Sequence, residues 1–185
     1  NIGVIYCTYW EDLSQPSMDV NTEIHSEENY KNFQLWAAKT QNLLCYSYYG
    51  CWLTAGYYER PIWHRIQNDL QTFAEYGVIG LTPALYYETD NPMSITGKNW
   101  GYTHREEWAM SMMTYWIYSK LAWNPYEDVD ALIDSFCDRI YGAASDAMQE
   151  YYKYVLMGWE DGREAMDAEF NIYHNVWTDP SLYFT

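Results

Sequence analysis

Basic residues are scarce in this chain. Its 185 residues hold 10 Lys and Arg against 26 Asp and Glu, a formal net charge of −16 at pH 7. A phosphate backbone is gripped by clustered cations, so no nucleic acid is expected as a partner, and an anionic membrane surface is disfavoured on the same ground. Neutral or cationic substrates stay open. No apolar run approaches the roughly 20 residues of a membrane-crossing helix, so no membrane-spanning segment is predicted. Cys7, Cys45, Cys51 and Cys137 form no CxxC pair, and no His stands at ligand spacing from them, so no metal site is expected. Cys45 and Cys51 fall near one predicted strand, where a buried free thiol and a disulfide are both open. GxGxxG and GxxxxGK[ST] are missing, so nucleotide binding has no support and no cofactor is predicted. His64 and His104 lie near helix starts, and His25 and His174 in polar surroundings; no Ser-His-Asp arrangement follows from their spacing.

Aromatic residues are plentiful instead, at 19% of the chain with 21 Tyr and 10 Trp. This is too rich for a disordered segment. Tyr and Trp join an apolar face to a polar tip, which suits a large core and equally a surface on which sugar rings stack.

Strands and helices alternate along the chain. Ile2–Thr8 is a short apolar run and reads as a buried strand. Ser26–Thr40 reads as a helix with Tyr30, Phe33, Trp36 and Ala37 on one face. Leu43–Tyr49 is a second strand. Pro61 stands where a first helical residue belongs, and Ile62, Ile66, Leu70 and Phe73 make an amphipathic stripe that Gly77 closes as a left-handed cap. Val78–Tyr86 is a third strand, with Pro83 marking an interruption or an end. A helix over about 104–123 stops at Asn124-Pro125, because the residue before proline is pushed out of helical geometry. Asp128 caps the next helix, whose buried face is Val129, Leu132, Ile133, Phe136 and Ile140, ending at Tyr141-Gly142. A last helix over about 144–170 carries Met148, Tyr151, Tyr152, Val155 and Trp159.

This alternation predicts an α/β fold with parallel strands. Three strands alone leave edges exposed and half a core, which favours the C-terminal part of a (β/α)8 barrel; a small three-layer domain is the alternative. Residues 1–127 are read as βα units of the partial barrel and 128–185 as a C-terminal helical extension packed on the same domain. The stretches after the strands are long and the returns short. In a barrel the strand-to-helix loops form the active face. Glu11 and Glu88, each close behind a strand with aromatics beside it, are the candidate catalytic acids. Trp10, Tyr48, Trp52, Tyr86 and Trp100 are the candidate substrate-binding residues, for stacking on sugar rings. Tyr48 and Tyr49 alternate on a strand, so only one of them points into a barrel lumen.

Four collinear segments carry a family resemblance: Gly77-Val78-Ile79-Gly80, then Lys120–Pro125, then Asp128–Phe136, then Ile140–Ala144. They are similar to the GV-x-G, K-L-x-W-[ND]-P, DVD-x-LI-x-x-F and YYG-x-A segments of the family called domain of unknown function 4838, and the likeness extends back toward Tyr6-Cys7. That resemblance implies the later part of a glycoside-hydrolase-type barrel from secreted, periplasmic or cell-surface bacterial proteins, some of which act as endo-β-N-acetylglucosaminidases on glycans. It implies a carbohydrate substrate and a missing N-terminal barrel portion as partner, with the fragment alone inactive; a chain that opens directly on a strand fits that expectation. The family usually carries acids where this chain reads Thr8, Tyr46-Ser47-Tyr48-Tyr49 and Leu81-Thr82-Pro83-Ala84. A non-catalytic glycan-binding domain that keeps the aromatic cleft is therefore the second reading. A third, an acidic interaction module on the last two helices, needs an exposed apolar patch that their buried periodicity does not offer.

Overall fold

The structure, a computed structural model, describes residues 2–8, 13, 15–19, 26–49, 60–83 and 111–167. Strand β1 is Val4–Cys7, helix α1 Ser26–Ala37, β2 Leu43–Tyr46, α2 Trp63–Glu75 and β3 Gly80–Leu81. Helix α3 is Met112–Leu121, α4 Val129–Tyr141, and α5 Ser145–Asp167, with a single 3-10 turn Gly142–Ala144 between α4 and α5. The strands pair in parallel in the order β1-β2-β3. The protein is thus α/β, with three parallel strands and several helices among the described residues.

Register and alternation divide the sheet into two faces. Tyr6 stands opposite Cys45, and Cys45 opposite Leu81, on one face. Helices α1 and α2 both cover that face: Tyr6 touches Phe33 of α1 (5.9 Å), Phe33 touches Phe73 of α2 (5.5 Å), and Tyr49 bonds to Asp69 of α2. Leu43, Cys45, Ser47 and Tyr49 are buried beneath them. The opposite face carries Ile5 and Cys7 on β1, Leu44 and Tyr46 on β2, and Gly80 on β3. Ile5 is 60% exposed and Cys7 is exposed. A Cβ at Gly80 would come within 3.1 Å of Leu44 Cδ2, so a larger residue there would require that side chain to shift.

The helix ends follow local chemistry. The Asp128 side chain accepts from Ala131 N at 3.1 Å, the expected cap of α4. Gly77 at φ +72° ends α2 in the left-handed region. The turn after α3 is fastened to α2, since Gln67 and Gln71 both donate to Pro125 O. Helix α2 itself begins at Trp63, two residues after Pro61, because the backbone between Arg60 and Ile62 makes its own tight turn, with Ile62 N donating to Arg60 O. β3 ends at Leu81, so Pro83 lies beyond the ladder, where a missing N–H loses nothing.

Ile140, assigned to a buried face, turns outward, and Trp36 and Tyr151 are exposed as well. Each sits at the edge of its stripe, and a neighbour fills the core instead. Phe33 does so in α1, Cys137 in α4 and Tyr152 in α5. Cys45 is buried, and Cys51 lies outside the described residues. One apolar cluster runs through the sheet and the helices, from Tyr6 to Trp159.

Two acids inside this cluster make the fold sensitive to alkali. Burial pushes the Cys137 thiol up to about 11, aided by Asp134 and Asp138, and burial pushes the Tyr118 phenol up to about 12. The unfolded chain therefore gives up these protons first, and stability falls as pH rises above about 9. The slope for one such group is about 1.4 kcal/mol per pH unit, so a loss of about 2 kcal/mol or more is expected between pH 9 and 11. Urea midpoints at pH 8.5 and 11 measure it, and an unchanged midpoint speaks against the buried placement of both groups.

Candidate functional site

The functional edge of a parallel α/β sheet lies at the carboxyl ends of its strands, where the strand-to-helix connections gather. Between each described strand and the described helix that follows it the chain runs over residues 8–25, 47–62 and 82–111, against only 38–42 and 76–79 from helix to strand. The lengths already point to one edge.

Four side chains mark this edge on the open face. Cys7 and Tyr46 are register partners, Thr82 lies one step beyond Leu81, and Tyr48 lies two residues beyond Tyr46. Tyr46 and Tyr48 pack edge to face at 5.1 Å. Cys7 Sγ donates to the Tyr48 hydroxyl at 3.5 Å. Thr82 N continues the ladder to Cys45 O, while its Oγ1 is buried with no hydrogen-bond partner among the described residues. Phenols, a thiol and a hydroxyl thus meet at one end of the sheet. Such a set offers aromatic faces and neutral donors and acceptors.

On the helix-facing side of the same edge lies a charged centre. Arg65 and Asp69, one turn apart on α2, are 3% and 0% exposed. Arg65 Nε reaches both Asp69 oxygens, at 2.7 and 2.8 Å. Asp69 also accepts from Met18 N (2.9 Å) and from the Tyr49 hydroxyl (3.1 Å), and Arg65 Nη1 donates to Gln15 O. Asn68 adds a bond to Pro16 O. Loss of water pushes the Asp69 carboxyl above its ordinary range, while Arg65, Met18 N and Tyr49 act in the opposite direction. The buried Arg60 donates from Nη2 to Tyr49 O. This centre fastens the connection after β1 and the end of β2 to one helix. Its role is to hold the edge in shape.

Of the residues singled out from sequence, Tyr48 is on the open face at the edge, and Tyr49 is buried on the other. Glu11, Glu88, Trp10, Trp52, Tyr86 and Trp100 lie outside the described residues. Thr8 and Ser47, at positions where the resemblance leads one to expect acids, are buried on the helix-facing side. Among the described residues no group of His, Cys, Asp and Glu could hold a metal ion, and no helix is long and apolar enough to cross a membrane. Sequence reasoning missed Tyr46, Cys7 and Thr82. Alternation back from Tyr48 reaches Tyr46; Cys7 and Thr82 join it only through inter-strand register.

No curated protein and no solved structure matches the chain. A family described as Domain of unknown function (DUF4838) matches residues 1–153, from ahead of β1 into α5. That span holds all three strands, the open-face edge and the charged centre behind it, and the chain belongs to this DUF4838 family.

Proposed function

We propose that this chain is the later part of a (β/α)8 barrel in a carbohydrate-active protein, a glycoside hydrolase acting on glycans such as N-acetylglucosamine-containing oligosaccharides. The observation that carries the reading is the one-sided sheet. Strands in sequential order with both crossover helices on one face wind in a single direction, as barrel strands do, whereas a doubly wound sheet has helices on both faces. The open face then corresponds to a lumen, and Tyr46, Tyr48, Cys7 and Thr82 stand at its mouth. Neutral hydroxyls beside aromatic faces suit a polyol ligand, and the chain's net charge of −16 suits a neutral one.

Glycoside hydrolysis needs carboxyl groups at the scissile bond, or one acid plus an acid that orients the substrate's acetamido group. Glu11 and Glu88 are the residues proposed for this work. In the full-length protein, Glu88→Gln is expected to lower hydrolysis of an aryl N-acetylglucosaminide or an N-glycan at least ~10²-fold if Glu88 is the acid/base. A change within twofold removes that role.

One observation favours a glycan-binding domain as the second reading. On the open face of the edge, Tyr46, Tyr48, Cys7 and Thr82 offer phenols, a thiol and a hydroxyl and no carboxylate. Oligosaccharide binding, read by tryptophan fluorescence and weakened by Tyr48→Ala, with no turnover by the full-length protein, selects this reading over the enzyme.

A further inference from the structure

We propose that the groove between α4, α5 and the start of α2 is a docking site for a cationic segment of a partner protein, one that carries Lys or Arg on both sides of an apolar side chain. The groove is open to solvent and holds about 620 Å³, within the usual size of a ligand site. Trp63, Ile133 and Tyr152 form its floor, and Leu156 is half-buried at its side. Asp130 and Asp134 stand along one wall on α4, and Asp146 and Glu150 along the other on α5, against a single lining cation among the described residues, Lys153.

The fold accounts for only part of this charge. Asp130 and Asp146 lie in first helical turns, where a carboxylate complements the helix dipole, and Asp130 also meets His64 Nε2 at 3.3 Å. Asp134 and Glu150 follow one turn further on. There the dipole no longer favours them, and each stands four residues from a like charge, an unfavourable spacing. Asp134 has no ion-pair partner among the described residues, and Glu150 accepts only a Tyr154 hydroxyl, at 3.3 Å. Two acidic walls over an apolar floor complement a segment with cations flanking an apolar anchor. A second copy of a chain with net charge −16 brings the wrong sign, as do phosphate backbones and anionic lipid. A bare polycation would match the walls and leave the floor unused.

The test uses the full chain and two labelled peptides, one alternating Lys and Leu, the other alternating Lys and Ser, read by fluorescence anisotropy. The Lys-Leu peptide is expected to bind at least about tenfold more tightly than the Lys-Ser peptide. The double variant Asp134→Asn, Glu150→Gln is expected to weaken Lys-Leu binding about tenfold. The double variant Glu160→Gln, Asp161→Asn makes the same change of net charge on exposed positions that do not line the groove, and is expected to act less than about twofold. Lys153→Gln is expected to tighten binding by about twofold, an independent check should the first variant alter the thermal melt. Equal binding of both peptides, equal effects of the two double variants, or no binding overturns the proposal. So does a concentration-dependent dimer of the chain that occupies the groove.

Discussion

Replacing Asp69 by Ala is expected to destabilise the protein by about 3–5 kcal/mol, because it leaves the buried Arg65 cation without its carboxylate. The loss has several parts. Arg65 keeps its bond to Gln15 O but loses both carboxylate oxygens. Met18 N and the Tyr49 hydroxyl lose their acceptor as well, and a buried donor left unsatisfied costs about 1–3 kcal/mol. Asp69→Asn keeps an acceptor oxygen for part of this network and removes the charge, so it should fall between wild type and Ala. The double variant Arg65→Met, Asp69→Leu separates charge from shape. It removes the stranded cation, so it should recover part of the loss despite changing two residues. The Met18 and Tyr49 donors still lack an acceptor in it, so recovery stays incomplete. Urea unfolding of the four proteins measures the series. A loss under about 1 kcal/mol for Asp69→Ala would mean that the carboxylate is solvated, against its placement here. The same variant should also release residues 15–18, seen as protease cleavage in that segment at urea concentrations well below the midpoint. That second readout links the buried pair to the edge it supports, independently of what the edge binds.

Much of the architecture was legible because periodicity is written in single residues. The stripe Ile62, Ile66, Leu70 and Phe73 identifies α2, Asp128 starts α4, and Gly77 takes the positive φ that ends α2. The charged centre was harder to see. Arg65 and Asp69, four residues apart on a helix, look like a solvent-exposed ion pair. Yet they interleave with the apolar stripe, at positions adjacent to Ile66 and Leu70, and their burial follows from that placement. Ile140 fails the other way, and Trp36 and Tyr151 are likewise exposed beside buried neighbours. Each extends a stripe by one position toward its rim, and a stripe gives no sharp boundary between core and solvent. The open face posed a different difficulty. Ile5, Leu44 and Tyr46 read as strand residues whichever face they occupy, and only the position of both crossover helices shows which face carries no helix among the described residues. Helix-to-sheet sidedness is a tertiary property with no local code.

Trp63→Ala is expected to cost a similar amount, about 3–5 kcal/mol, through the cavity it leaves. Trp63 is fully buried in the first turn of α2. Its ring meets Tyr152 of α5 edge to face at 5.6 Å, its Nε1 donates to Thr114 Oγ1 of α3 at 3.2 Å, and it floors the groove bordered by α4. One side chain therefore joins α2, which lies on the sheet, to the helices that follow it. Trp63→Phe separates the ring from the hydrogen bond. It keeps an aromatic partner for Tyr152 and gives up the indole N–H, so about 1 kcal/mol for the bond plus a smaller packing term is expected. The shape of the unfolding curve carries a further distinction. If α4 and α5 were held only as an appendage, Trp63→Ala would split unfolding into two steps, with helical signal lost before the sheet opens. The apolar cluster continues from Tyr6 to Trp159 through Trp63, Met113 and Phe136. A single transition displaced to lower urea, coincident by circular dichroism and tryptophan fluorescence, is accordingly the expected result. Two separated transitions in wild type as well as in the variant would instead assign the helices to a unit that folds on its own, and would move the Trp63 contact from core to interface.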